Sequence, residues 1–212
     1  MSVGLSRALW EANVDLARAA LAHPFVRGIA AGSVPRERFA AYLAQDAYFL
    51  DAFARAYALA LARSPDRDGL EAFARLLTGA LAELRLHASY AARWAIDLGT
   101  VRPLPATTAY TDFLLATASL RGVGETCAAM TPCMRLYAWL GQELARVPQV
   151  DGNPYAEWIA TYASADFAAL AAELERLLDR YATQTDAVRD LYRRAMELEV
   201  AFFDAHRWTG TA

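Results

Sequence analysis

The chain has 212 residues, 56% of them hydrophobic, a formal net charge of −3 and a sequence pI near 5.6. This length and apolar content suit one well-buried domain over residues 1–212. The charge leaves no basic footprint of the kind a nucleic-acid binder carries, and charges interrupt every apolar run before the roughly 20 residues needed to span a membrane.

Alanine and leucine dominate and β-branched residues are sparse, which predicts an all-α fold. The first residues lack the charged-then-apolar layout of a signal peptide, so a cytoplasmic location is expected. Residues 5–23 repeat apolar positions at helical spacing and stop at His23-Pro24. A break over 28–35 follows, with Ser33 and Pro35 as start signals for a long helix over 36–63. Ser64-Pro65-Asp66 ends it, and residues 69–98 form the next, closed by Gly99. Val101-Arg102-Pro103-Leu104-Pro105 reads as a loop, after which Thr107 or Thr108 caps a helix through Leu120. Gly122-Val123-Gly124 precedes a cysteine-bearing helix to Arg146, and 148–154 is a second loop. Short helices over 155–163 and 166–183 follow, and Asp186 caps a last one reaching about Trp208. No repeat or low-complexity linker divides the chain, so the elements predict a single helical bundle.

The cysteine-bearing helix contains Met130-Thr131-Pro132-Cys133-Met134-Arg135-Leu136-Tyr137. Proline lacks the helical N–H and crowds the preceding turn, so the helix is expected to kink or restart here. Either outcome bares backbone polar groups beside the thiol. A restart would also aim N–H groups at Cys133 and favour its thiolate. Tyr137 falls one turn further on the same face. The alternative is a small buried hydrophobe at a packing kink. Cys127, six residues earlier, lies about 9 Å away along a continuous helix and on another face. That is beyond disulfide reach, and both thiols are expected to be reduced.

Acids and rings mix on three other segments. Asp46, Phe49 and Phe53 share one helical stripe, which puts a carboxylate on an aromatic face. An unpaired buried carboxylate costs roughly several kcal/mol, so Asp46 is either a satisfied acceptor or a functional group. Glu199 and Phe202 share a face of the last helix, either as a solvated edge or as part of a site. Glu83 and His87 stand one turn apart and read as a local pair. With His23 and His206 the only other histidines, and no paired acid-x-x-His motif, no metal centre is expected.

In chain order these segments resemble the TenA family of thiaminase II proteins, which have a haem-oxygenase-like helical fold. The resemblance runs through His23-Pro24-Phe25-Val26, then Phe39-Ala40-Ala41-Tyr42-Leu43-Ala44-Gln45-Asp46, whose Gln-Asp is the family's acidic landmark. Pro105 leading to Tyr110, Pro132-Cys133 with Leu136-Tyr137, and Trp158-Ile159-Ala160-Thr161-Tyr162 continue it. Leu198-Glu199 with Phe202-Phe203-Asp204 completes it.

The resemblance implies hydrolysis of thiamin or of an aminomethylpyrimidine, releasing 4-amino-5-hydroxymethyl-2-methylpyrimidine, with no cofactor. By position it makes Cys133 the nucleophile, Asp46 the carboxylate on the amidine edge of the pyrimidine, and Glu199 the acid/base. Phe49, Tyr110, Tyr137, Tyr162 and Phe202 become the substrate-binding walls, and a homotetramer is implied. The chemistry suits these residue types: thiolate addition to the ring, expulsion of the leaving group, and water attack need one thiol, two carboxyls and flat apolar walls. One departure from the family pattern is Phe49, where many members carry tyrosine. Another is Phe203, which replaces a frequent tryptophan. Related alternatives are a haem-oxygenase-like oxidase or di-metal protein, which would need more histidine, and a non-enzymatic regulator, which the near-neutral charge does not favour. The choice between thiamin and aminomethylpyrimidine stays open.

Overall fold

Ten α-helices make up the regular structure among the described residues (4–94, 96, 98, 100–148 and 150–207) of the computed structural model. They are α1 (Leu5–Ala12), α2 (Val14–Ala22), α3 (Pro24–Ala31), α4 (Arg36–Ala62), α5 (Arg67–Trp94), α6 (Pro105–Leu120), α7 (Val123–Ala145), α8 (Ala156–Ala163), α9 (Ala165–Tyr181) and α10 (Asp186–Asp204). The all-α bundle expected from composition is the fold observed.

The first expected helix is two. Asn13 divides it, because its Nδ2 donates to the Leu9 carbonyl at 2.8 Å and takes the acceptor its own backbone N–H would use. His23 then caps α3, its Nδ1 accepting from the Phe25 N–H at 3.2 Å, with Pro24 at the first helical position. The helix continues through Gly28 and ends at Gly32, whose φ of 66° is left-handed. The break expected over 28–35 therefore shrinks to its second half.

Other boundaries also shift. Helix α6 starts at Pro105, not behind a threonine cap, and Thr107 instead donates to Gln45 Oε1 at 2.6 Å. That oxygen also accepts from the Leu104 N–H at 2.8 Å, while Gln45 Nε2 donates to the Arg102 carbonyl at 3.0 Å. One buried amide on α4 thus fastens the loop ahead of α6. Ser164 caps α9, and Thr185 rather than Asp186 caps α10, accepting from the Val188 N–H at 3.2 Å. Helix α5 stops at Trp94 and α10 at Asp204. Gly99 and Trp208, expected to mark the ends of these two helices, lie outside the described residues.

Helix α7 is the centre of the bundle and packs against α4, α6, α8, α9 and α10. Its residues 126–134 are all buried. It remains one helix through Pro132, so of the kink or restart expected there, the restart does not occur. An interior proline costs about 3 kcal/mol. Burial contributes roughly 1.5–3 kcal/mol for each large apolar side chain, and α7 buries Met130, Met134, Leu136, Leu140 and Leu144. Packing outweighs the missing bond. At Gly141 the backbone of α8 comes so close that a Cβ would overlap Tyr162 and Ala163.

Candidate active site

The stripe predicted on α4 lines a cavity of about 240 Å³. Asp46, Phe49, Leu50, Phe53 and Tyr57 form one wall. Helix α5 adds Leu76, Ala80, Glu83 and Leu86, and α7 adds Cys133, Met134 and Tyr137. Thr161 and Tyr162 of α8 and Asp166, Phe167 and Leu170 of α9 close the remaining side. The Tyr137 and Tyr162 rings meet edge to face with centroids 4.8 Å apart. Behind them the Tyr42 and Tyr137 hydroxyls are 3.1 Å apart, and Trp158 Nε1 donates to Tyr42 at 3.4 Å.

Asp46 is buried, and its Oδ2 lies 2.7 Å from His87 Nε2. The other ring nitrogen, Nδ1, lies 2.9 Å from the Glu83 backbone carbonyl. A carbonyl can only accept, so Nδ1 carries a proton; with a carboxylate at the second nitrogen, the ring fits as an imidazolium. Burial opposes that charge, but the hydrogen bond and charge of Asp46 prevail, with Glu83 assisting, and raise His87 to about 9. The Glu83 carboxyl accepts from the Tyr162 hydroxyl at 2.6 Å. Burial, with the Asp46 charge, raises Glu83 to about 7. The expected i,i+4 pair forms through the Glu83 backbone carbonyl, while each side chain is also held by another helix, and both belong to the cavity's surroundings. Sequence reasoning missed them as site residues, although their spacing was visible.

Cys133 neighbours Glu199, and their hydrogen bonding helps to set the acidity of both. Burial raises Glu199 to about 8, against the hydrogen bonds from Tyr110 and Cys133. Tyr110 donates to Glu199 Oε1 at 2.6 Å. Burial also pushes the Cys133 thiol well up, and the charges of Glu199, Glu83 and Asp46 add to the shift. The helix restart that would have favoured a thiolate is therefore absent: α7 presents no N-terminus to Cys133, and the charges of Glu199, Glu83 and Asp46 act on the thiol instead. Cys133 is thus held as a thiol beside the Glu199 carboxyl. Cys127 is fully buried, and both cysteines are free, in line with the expected reduced state.

Of the expected site residues, Cys133, Asp46, Phe49, Tyr137 and Tyr162 line the cavity. Glu199, Tyr110 and Phe202 stand behind that wall. The Phe49 ring takes the wall position, with centroids 4.7 Å from Tyr110 and 6.0 Å from Phe202, and the Tyr110 hydroxyl is committed to Glu199. Tyr110 and Phe202 therefore support the wall rather than form it. Among the described residues, no three His, Cys, Asp or Glu side chains gather as a metal site, and no helix is long and apolar enough to cross a membrane.

The model of the TENA/THI-4/PQQC family matches residues 10–208. The bifunctional TH2 protein, mitochondrial, of Arabidopsis thaliana is 38% identical over 208 residues, covering 86% of this chain and 34% of its own length. The chain thus spans about a third of that relative. An aminopyrimidine aminohydrolase of Halalkalibacterium halodurans is 35% identical over 179 residues, covering 82% of this chain and 77% of its own. Among solved structures, a TenA family transcription regulator from Silicibacter sp. TM1040 superposes with a TM-score of 0.88 at 28% identity, covering 96% of each chain. A TenA homologue from Pyrococcus furiosus shares the fold, with a TM-score of 0.88 at 24% identity over 95% of this chain and 98% of its own.

Proposed function

The chain belongs to the TENA/THI-4/PQQC family, and on that premise we propose that it is an aminopyrimidine hydrolase acting through a covalent Cys133 intermediate. Its product is a hydroxymethylpyrimidine, released from an aminomethylpyrimidine or from thiamin. The observation that carries this reading is the convergence of one thiol, an Asp46–His87 charge pair and aromatic rings on a single cavity of about 240 Å³.

An aminopyrimidine offers a ring nitrogen and an exocyclic amine on one edge. Asp46, fixed by His87, pairs with that edge while Phe49 and Tyr137 bound the ring faces. Glu199 takes the Cys133 proton, and the thiolate adds to the ring. The C–N electron pair then leaves with the amine or thiazole. Water adds to the methylene carbon and gives up its spare proton to the departed ammonia, or to solvent when thiazole leaves, while the sulfur departs and recovers its proton from Glu199.

The electrostatics explain why this happens only with substrate bound. Acids crowd the site, and burial keeps both Cys133 and Glu199 from ionising. A positively charged occupant offsets that crowding and first returns Glu199 to its carboxylate, which then takes the Cys133 proton and leaves the sulfur as the charged group. The surplus of carboxyls thus selects a cationic substrate and delays activation of the thiol until one arrives.

The test is incubation of purified protein with aminomethylpyrimidine and, separately, with thiamin, followed by quantification of hydroxymethylpyrimidine. Release by the wild type and none by Cys133→Ala is the expected result. No release from either substrate, or release by Cys133→Ala, overturns the reading.

A further inference from the structure

Glu83 is a carboxyl on the cavity wall with no part in the steps above. It is not consumed by the fold. His87 bonds its backbone carbonyl rather than its side chain, and Tyr162 donates to Oε1 alone, whereas a carboxylate has room for several donors. A second polar atom in the same cavity also lacks an occupant. The Tyr57 hydroxyl is buried, and it has no hydrogen-bond partner among the described residues. A buried unpartnered hydroxyl costs about 1–3 kcal/mol, so such atoms mark a place where something polar binds.

Asp46 already serves the edge of the pyrimidine. What remains of an aminomethylpyrimidine is its ammonium, a cation with three N–H donors. The remaining cavity groups match it: a carboxylate held in place by a phenol, in a cavity that apolar Leu76, Phe167 and Leu170 also line. We infer that Glu83 binds the departing amine of the substrate and makes the site selective for ammonium over thiazolium leaving groups. A thiazolium carries positive charge but no N–H, so it gains attraction from Glu83 without a hydrogen bond.

This inference rests on the hydrolase reading, and its atoms balance within that scheme. The bound ammonium leaves as ammonia, carrying the C–N electron pair. The water that replaces it forms the C–O bond and gives a proton to Glu83. Glu83 passes that proton to ammonia, which departs as ammonium and leaves the carboxylate restored.

The experiment compares kcat/KM for aminomethylpyrimidine and for thiamin in the wild type, Glu83→Gln and Glu83→Asp. Alongside, calorimetry measures the affinities of aminomethylpyrimidine and hydroxymethylpyrimidine in Cys133→Ala with and without Glu83→Gln. Glu83→Gln should lower kcat/KM for the amine about 10- to 100-fold, the range of a lost charge-assisted hydrogen bond. The thiamin value should fall less, and Glu83→Asp should restore part of the difference. The preference for the ammonium over the hydroxyl ligand should collapse in Glu83→Gln. Equal losses on both substrates, or an unchanged ligand preference in a folded variant, overturn the assignment. A wild type inactive on both substrates instead overturns the hydrolase reading, and the calorimetry then still decides whether Glu83 selects an ammonium.

Discussion

His87 Nε2 sits 2.7 Å from Asp46 Oδ2, joining α5 to α4 through a pair in which both side chains are buried. The pair fixes the carboxylate that the proposed reaction uses for recognition, and it makes the charge of Asp46 a structural matter as well. Asp46→Asn leaves an imidazolium without its counter-charge. It should cost about 3–5 kcal/mol of unfolding free energy, besides weakening pyrimidine binding. Adding His87→Gln should recover part of the stability, because the stranded charge is removed with its partner. Urea unfolding of the two single variants and the double variant checks this. Simple additivity would show that the two groups are not coupled.

The α4 wall was legible because one helical face repeats at three and four residues, and Asp46, Phe49 and Phe53 follow that rule. The partners of its acid were not. His87 offered a local explanation in Glu83, four residues earlier, and only the packing of α4, α5 and α8 turns each toward a distant side chain. Tyr110 and Glu199 likewise join residues 89 apart in the chain. The restart offered at Pro132 fails for a related reason. The local rule of helix breaking is real, but α7 is so enclosed that packing overrides it. Asn13 erred the other way, since one side-chain bond to Leu9 ends a helix whose apolar pattern continues.

Cys133→Ser should bind pyrimidine as the wild type does while losing at least about 100-fold in kcat, because an alcohol cannot replace the thiolate. Cys127→Ser should leave kcat unchanged. It places a hydroxyl in a fully buried position, which costs about 1–3 kcal/mol if the new group finds no partner. Steady-state kinetics with thermal melts separates the two cysteines, and equal kinetic losses would remove the distinction.

Stability should fall as pH rises through the neutral range. Glu199 is raised from 4.5 to about 8 in the folded chain, so the folded state holds that proton more tightly than the unfolded state. Its contribution is intact below the unfolded value and is lost as pH climbs toward 8, at roughly 1 kcal/mol per pH unit. Glu83, raised to about 7, and His87, raised from 6.5 to about 9, slope the same way. His206, lowered by burial to about 4, opposes them only below its ordinary 6.5. Glu199→Gln should therefore gain on the wild type steadily from pH 5 to 8, and denaturant titrations across that range would show it. A constant difference between the two proteins would mean that Glu199 is not raised.

Gly141→Ala should reach the site from the far side of α7. A methyl group there meets the backbone of Tyr162 and Ala163, which no rotamer change can clear. Overpacking of this kind costs about 1–3 kcal/mol. The yielding element is α8, which carries Tyr162 and through it the orientation of Glu83. Substrate affinity should therefore drop together with stability. A variant that loses stability but keeps wild-type affinity would show that α8 shifts without disturbing its tyrosine.

Phe49→Tyr adds one oxygen to a ring that lines the cavity and packs at 4.7 Å against Tyr110 and 5.4 Å against Phe53. The ring site already exists, so stacking on a substrate is preserved and binding should change little. The added hydroxyl has two fates, which differ in what they alter. If it meets the reacting groups or Glu199, it contributes one hydrogen bond, worth about 2- to 12-fold in kcat. If it meets only apolar wall, its desolvation lowers stability by about 1–3 kcal/mol and leaves the kinetics alone. The first outcome is expected, because the Phe49 ring lines the cavity and packs at 4.7 Å against Tyr110, whose hydroxyl donates to Glu199. Kinetics on aminomethylpyrimidine, with a melting curve on the same preparation, distinguishes the two. A destabilised variant with unchanged kcat would place the ring edge away from the chemistry.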